Sequence, residues 1–167
     1  MNDNNADRRW METALREARH ALETGEIPIA AILVDGNGTE LGRAQTAGIR
    51  MRTEAAHAEL RVIQQCGDRI AKAERPVTIY VNLEPCLMCL GAAMASGVDR
   101  IVYAMAAKVD GSARYVEAIV AGGQRPPFVE GGLLEKDGVA LMRLFVEERP
   151  DHPRADYAWS LLRAYAE

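Results

Sequence analysis

The stretches AAHAEL (residues 55–60) and NLEPCLMC (residues 82–89) decide how this chain is read, because together they offer His57, Cys86 and Cys89. Imidazole nitrogen and thiolate sulfur are donors that zinc favours, and zinc, with no d-electron geometry of its own, accepts the tetrahedron they build. Three protein donors leave the fourth corner open, which is the layout of a catalytic zinc site rather than a structural one. A structural site needs a fourth Cys or His. The one spare cysteine, Cys66, falls on the helix that His57 begins and reads as a small buried residue. A lone Cys-x-x-Cys could equally be a redox pair or half of a zinc clip, so the compound pattern carries the inference. His20 and His152 lie outside any ligand spacing and read as a helix-surface residue and a loop residue.

Cys-x-x-Cys at a helix start puts both sulfurs on one side of the first turn. Pro85 suits that start, because the first turn has no use for its missing N–H. The positive end of the helix favours both thiolates. His57 opens a second apolar-periodic segment that continues with Leu60, Val62 and Ile63. Glu59, two residues on, points elsewhere on that turn and can reach a metal-bound water without binding the metal. Zinc lowers the pKa of such a water to about 7 in the best-known sites. A carboxylate can then take the proton and hand it on.

The 167 residues form one expected domain spanning 1–167, with one core. The start, MNDNNADRRWMETALREA, is polar and then amphipathic, so no signal peptide is expected, and no apolar run has the length of a membrane span. Two of three cysteines are metal-like, which argues against a disulfide scaffold and for a reducing cytoplasm. A net charge of −4 opposes a protein built to grip a polyanion. Arg43, Arg50 and Arg52 make one acid-free basic stretch, readable as a solvated loop or as an anion-facing rim near the site.

Apolar residues Trp10, Ala14, Ala18, Ala21 and Leu22 recur at helical spacing over residues 6–23, and Gly25 ends that helix. Residues 27–34 are a continuous apolar run, the mark of a buried strand; DGNG at 35–38 is a hairpin turn, and residues 40–46 are the antiparallel return strand. A helix over 54–65, a strand over 77–83, a helix over 86–96 and a strand over 100–104 follow. Residues 111–132 are rich in Gly and Pro and read as a loop holding a short helix at 115–120. Residues 133–148 read as a helix despite Gly138. A final helix at about 155–166 has Tyr157, Leu161, Leu162 and Tyr165 as apolar anchors. The alternation after residue 50 predicts a largely parallel sheet, with both ligand-bearing helix starts at its carboxyl edge.

The pattern H-x-E…P-C-x-x-C is the known signature of zinc-dependent base deaminases, and the chain resembles the cytidine-deaminase superfamily over roughly residues 15–146. Within it, the resemblance is to the branch of tRNA adenosine, guanine and cytosine deaminases. GEIPIAAILV and LGRAQT resemble the family's first two strands, AAHAEL and YVNLEPCLMC its metal site, and GLLEKDGVALMRLF its late helix. The resemblance implies an α/β class chain, a three-layer α/β/α fold around a mixed five-stranded sheet, and a homodimer or higher oligomer. It also implies Zn²⁺ on His57, Cys86 and Cys89, Glu59 as the catalytic proton shuttle, and Thr46 and the Ala58 backbone amide facing the substrate ring; Ile27, just before Pro28, reads as a pocket wall.

Three positions depart from the family pattern. Thr46 stands where a substrate-binding asparagine is usual. Thr53-Glu54-Ala55-Ala56 replaces D-P-T-A, and Asp110 enters a loop that tRNA enzymes keep neutral or basic. NLEPC, in contrast, is closer to the T-L-E-P-C of tRNA enzymes. The expected function is hydrolytic deamination of a small heterocycle such as guanine, cytosine or an amino-triazine. The rivals are a tRNA-specific adenosine deaminase, acting on a flipped-out base, and a non-catalytic zinc-binding protein, for which Glu59 would have no use.

Overall fold

The computed structural model of the protein describes residues 4–165. Its elements are α1 (Asn4–Glu23), β1 (Ala30–Val34), β2 (Glu40–Gln45), α2 (Gly48–Met51), α3 (Ala58–Lys72), β3 (Thr78–Leu83), α4 (Leu87–Ala95) and β4 (Arg100–Met105). A 3₁₀ turn (Ala113–Tyr115) then leads into α5 (Val116–Ala121), followed by β5 (Phe128–Glu130), α6 (Glu135–Glu148), α7 (Ala155–Leu162) and a second 3₁₀ turn (Arg163–Tyr165). The strands form one sheet in the order β2-β1-β3-β4-β5. β1 runs antiparallel to both β2 and β3, whereas β4 is parallel to β3 and β5. The sheet is therefore mixed. It is less parallel than the strand–helix alternation predicts, because only the half from β3 onward follows that rule.

Side chains alternate across a strand, and here each face has its own helices. Ala31, Leu33, Ile79, Val81 and Ile101 share a core with Val62, Ile63, Cys66 and Ile70 of α3 and Leu90 and Ala93 of α4. On the opposite face, Ile32, Val34, Tyr80, Val102 and Ala104 meet Met11 and Ala14 of α1. Ala18, Ala30, Met105, Phe145 and Leu161 extend that second layer through α6 and α7. With both faces covered, every residue of β1 and β3 is buried, which is why β1 lies in an unbroken apolar run, while β3 buries two polar residues, Thr78 and Asn82, among its apolar ones. Gly138 sits inside α6 for a packing reason: a Cβ there would lie 3.2–3.3 Å from the Cβ atoms of Met105 and Ala104 and the Asn82 carbonyl oxygen. Cys66 is the small buried residue expected, its thiol donating to the Leu41 carbonyl at 3.3 Å.

Several boundaries differ from the sequence expectation. β1 starts at Ala30, not at residue 27, because residues 27–29 turn tightly, the Ile29 N–H donating to the Ile27 carbonyl at 2.8 Å. α3 begins at Ala58 rather than at residue 54; its N-cap is His57, and it continues through Gly67 to Lys72. β5 is a three-residue strand inside the Gly- and Pro-rich stretch expected to be loop. α2 is a single turn, too short to show a period in the sequence. Arg43 lies on β2 and pairs with Glu40 and Glu17, so it is neither a loop residue nor part of an anion-facing rim. The last helix ends at Leu162 and tightens into a 3₁₀ turn; Ala166, its expected end, lies outside the described residues.

At the edge away from β2, Arg100 ties three segments together. Its guanidinium donates twice to the Asp7 carboxylate, both at 2.7 Å, and its Nε donates to Glu130 of β5 at 2.9 Å. The Tyr80 hydroxyl donates to the same Asp7 at 2.5 Å. The Arg100 hydrogen bonds hold the Asp7 carboxyl below its ordinary value of 3.8. A carboxylate depressed in the native state stabilises the fold above its unfolded pKa, and that contribution disappears as pH falls through the native value. Replacing Asp7 by Asn is expected to lower the unfolding free energy by about 1–3 kcal/mol at pH 7. The gap from wild type is expected to narrow once the pH drops below 3.8. Urea unfolding of both proteins at neutral and at acid pH measures this; an equal gap at both would disprove the linkage.

Candidate active site

His57 and Cys86 are the N-caps of α3 and α4, each in an extended conformation, and Cys89 lies in the first turn of α4. Two helix starts are thereby brought side by side at the carboxyl end of β3. The His57 Nδ1 lies 3.6 Å from the Cys86 Sγ and 3.4 Å from the Cys89 Sγ, and the two sulfurs are 3.7 Å apart. A tetrahedron with zinc–sulfur bonds of about 2.3 Å and a zinc–nitrogen bond of about 2.0 Å has edges of about 3.8 Å and 3.5 Å. The donor set therefore fits zinc in kind and in spacing, and these three residues form the one His/Cys/Asp/Glu group of metal-holding geometry found among the described residues. Pro85 precedes the N-cap instead of standing in the first turn; its carbonyl accepts the Ser112 N–H at 2.9 Å, and Cys86 bridges to Gly111. The Cys89 thiol and the His57 ring hold the Cys86 thiol down to about 4 against its burial. Cys89, sharing that hydrogen bond from a buried position, is pushed up.

Glu59 is the second residue of α3 and is 4% exposed. Burial raises its carboxyl above the ordinary carboxylate range. It faces a small chamber of about 30 Å³, lined also by Thr46, His57, Ala58, Cys86 and Tyr157. That is space on the scale of one or two water molecules. Thr46, His57 and Tyr157 also wall a larger cleft of about 440 Å³, which Ile27, Met88, Arg154 and the carboxylates of Glu26, Glu54 and Asp110 complete. A water-sized space beside Glu59 and the metal donors thus adjoins a space of ligand size.

The walls are held by specific bonds. Thr46 donates its hydroxyl to the Ala56 carbonyl at 3.2 Å, so it presents a lone pair and a methyl group rather than a donor. Asn82, at the end of β3, accepts from the Ala30 N–H at 2.9 Å and donates to the Pro28 carbonyl at 2.8 Å, which fixes the turn carrying Ile27. Glu26, 2% exposed, accepts the N–H groups of Ile49 and Arg50 at 3.1 and 2.8 Å and so seats α2. His152 joins the Gly25 carbonyl to the Arg154 N–H, both at 3.0 Å, and packs its ring edge-on to Phe145. It is a loop residue, as expected, and it sets the entry of α7. Arg154 then pairs with Glu54, and the Tyr157 hydroxyl meets both carboxylate oxygens of Asp110 at 3.2 Å.

The structure thus brings His57, Glu59, Cys86 and Cys89 together, with Thr46 and Ala58 at the small chamber and Thr46 and Ile27 at the larger cleft. It leaves Arg43, Arg50 and Arg52 outside the cleft lining. Tyr157, expected as an apolar anchor, is a wall of the cleft, and it is joined there by Arg154, Met88 and Glu26, which the sequence reading does not single out. Glu26 carries a signal, a charge set directly before the buried run IPIAAILV. Arg154 carries none, because its partner stands far away in the chain.

Residues 4–105 match the family model described as the cytidine and deoxycytidylate deaminase zinc-binding region. A tRNA-specific adenosine deaminase of Buchnera aphidicola (subsp. Schizaphis graminum) is 41% identical over 101 residues, covering 59% of this chain and 66% of that relative, just under two thirds of its length. A cytosine deaminase of Candida albicans is 26% identical over 149 residues, covering 86% of this chain and 91% of the relative. The solved structure of a guanine deaminase from Nitrosomonas europaea superposes with a TM-score of 0.68 at 25% identity, covering 83% of each chain. The matched region runs from α1 through β4 and includes all three metal donors and Glu59, and this chain belongs to the cytidine and deoxycytidylate deaminase zinc-binding family.

Proposed function

We propose that the chain is a hydrolytic deaminase of a small amino-substituted heterocycle, a free base, nucleoside or related ring, releasing ammonia and the oxo product. The observation that carries this is the 440 Å³ cleft beside the metal chamber, partly closed by Arg154 and Tyr157 of the α7 region. His57, Cys86 and Cys89 would hold one Zn²⁺, which supplies Lewis-acid activation of water when bound. Glu59, buried beside them, takes the proton of the attacking water, delivers it to a ring nitrogen and assists the departing amine. The Ala58 N–H, free of an intrahelical acceptor in the first turn of α3, and the Thr46 hydroxyl oxygen face the ring. Ile27 supplies an apolar wall. Carbon–nitrogen cleavage balances as ring–NH₂ plus water giving ring=O plus ammonia.

A second reading, a tRNA-specific adenosine deaminase, is favoured by one observation: the relative of that name is 41% identical over the metal-binding part. The cleft rim weighs the other way, since Asp110, which has no ion-pair partner among the described residues, stands where a polyanion would have to approach. Among the described residues no helix is long and apolar enough to cross a membrane. The thiolate donors suit a reducing cytoplasm. Ala93 packs in the core, but the half-buried Ala92 and the exposed Ala95 on α4 suit close approach of a second subunit, and a homodimer is proposed. Sedimentation at micromolar concentration should give twice the 18.3 kDa chain mass, and a monomeric mass would refute the dimer.

Holding the metal and moving protons separate by substitution. Cys86→Ser and Cys89→Ser should lose most of the bound zinc, measured by metal analysis. Glu59→Gln should keep its zinc and lose about 10²–10⁴ or more in turnover. Full zinc in both serine variants, or half of normal activity in Glu59→Gln, would reject these roles. Substrate class is settled by direct competition between tRNA and a panel of guanine, cytosine, adenine, their nucleosides and amino-triazines. A small ring is expected to show the higher kcat/KM; inosine formed in tRNA, with no ammonia from any small ring, would establish the second reading.

A further inference from the structure

We infer that the cleft selects its substrate by charge, and that Asp110 makes the selection: a neutral amino heterocycle enters, and the same ring carrying a phosphate is repelled. This rests on the small-heterocycle reading above. Four charged side chains line the cleft besides His57, and three of them are acids. A Zn²⁺ held by two thiolates adds no net charge to that sum. Glu54 and Arg154 form an ion pair and cancel. Glu26 is almost fully buried, and its two oxygens accept two backbone N–H groups. Asp110 is different. It is exposed, its oxygens receive only the Tyr157 hydroxyl, and among the described residues it makes no ion pair.

The position of Asp110 is built, not incidental. The Glu84 carboxylate accepts the N–H groups of Ala107 and Ala113, both at 2.9 Å, and so pins the two ends of the loop that carries it. Gly111, the next residue, is pressed so close that a Cβ would come within 2.2 Å of the Glu84 side chain. Tyr157 lines both the cleft and the small metal chamber, so the Asp110 charge stands one side chain away from the reacting centre. Apart from Arg154, the basic residues do not line the cleft: Arg43 is paired on β2, Arg50 and Arg52 lie outside, and on the loop of Asp110 itself Lys108 is absent from the lining while the Arg114 guanidinium is taken up by the Ala107, Lys108 and Gly111 carbonyls. A charge without an ion-pair partner at the mouth of a cleft repels a like-charged ligand without affecting a neutral one, and specificity gained by repulsion needs no added contact.

The test compares nucleosides of adenine, cytosine and guanine with their 5′-monophosphates on three proteins. Asp110→Asn keeps an oxygen for the Tyr157 hydroxyl and removes the charge. Tyr157→Phe keeps the charge and removes the hydrogen bond. Wild type should favour the unphosphorylated form in kcat/KM, and Asp110→Asn should narrow that preference about tenfold, mainly through KM. Tyr157→Phe should leave the ratio in place even where it lowers both rates. Raising the salt should narrow the preference in wild type but not in Asp110→Asn, a measurement that for wild type needs no variant to fold. An unchanged ratio in Asp110→Asn with the wild-type ratio insensitive to salt overturns the proposal. So does a nucleoside excluded as strongly as its monophosphate, since size would then be selecting. If small rings are turned over but the ratio does not move, only the charge filter falls. If tRNA alone is deaminated, the small-heterocycle reading falls and the filter with it, because a polyanion then passes the mouth.

Discussion

Asn82 and Glu84, two buried polar side chains at the end of β3, hold this site together. An apolar residue at either place would leave several backbone groups buried without partners, each loss costing about 1–3 kcal/mol. Asn82 closes the turn before β1, and Glu84 closes the loop after β4. Between them lies Leu83, and directly after them come Pro85 and Cys86. The strand end therefore fixes three things at once: the wall carrying Ile27, the loop carrying Asp110 and the entry of the helix that presents both sulfurs. His57 needs only to arrive from α3, and the packing of Val62 and Ile63 against the sheet brings it there.

Local chemistry explains which parts are legible in the chain. The metal donors and Glu59 announce themselves because a helix start fixes the relation of residues two or three apart, whatever the rest of the fold does. The buried strands are equally plain: β1 is apolar throughout because both of its faces are covered, and β3 reads as a strand of alternating character with no breaker in it. β5 escapes because three residues cannot display a period. It is a strand by virtue of what it lies beside: β4 pairs with it, and Arg100 binds Glu130. Residues 27–29 pass for part of β1 for the opposite reason, their apolar side chains hiding a turn that Asn82 imposes from a distant part of the chain.

The cleft walls are the least legible because their meaning is made by partners remote in sequence. Tyr157 satisfies helical periodicity and passes for core. Only the fold reveals its hydroxyl against Asp110 and its ring between cleft and chamber. Arg154 looks like an ordinary surface charge until α7 is docked, and His152 does that docking through two hydrogen bonds that no spacing rule anticipates. Gly138 is similar: it weakens a helix by propensity, and its reason is the closeness of β4 beneath it.

The metal donors and the cleft walls rest on different elements, and this division has a consequence. His57, Glu59, Cys86 and Cys89 sit at the starts of α3 and α4, anchored in the core on one face of the sheet. Arg154 and Tyr157 come from α7 and the residue that caps it, which pack in the layer on the other face, while Glu54 and Asp110 come from loops. All three departures from the family pattern, Thr46, Glu54 and Asp110, fall on the cleft lining, and none falls among the metal donors. Those three side chains can change without moving a sulfur, since they bond Ala56, Arg154 and Tyr157 and none of them bonds a metal donor. Substrate choice and bond-breaking are thus separable on this scaffold. The residues worth comparing between members that act on different rings are those of the rim, even where the metal site is identical.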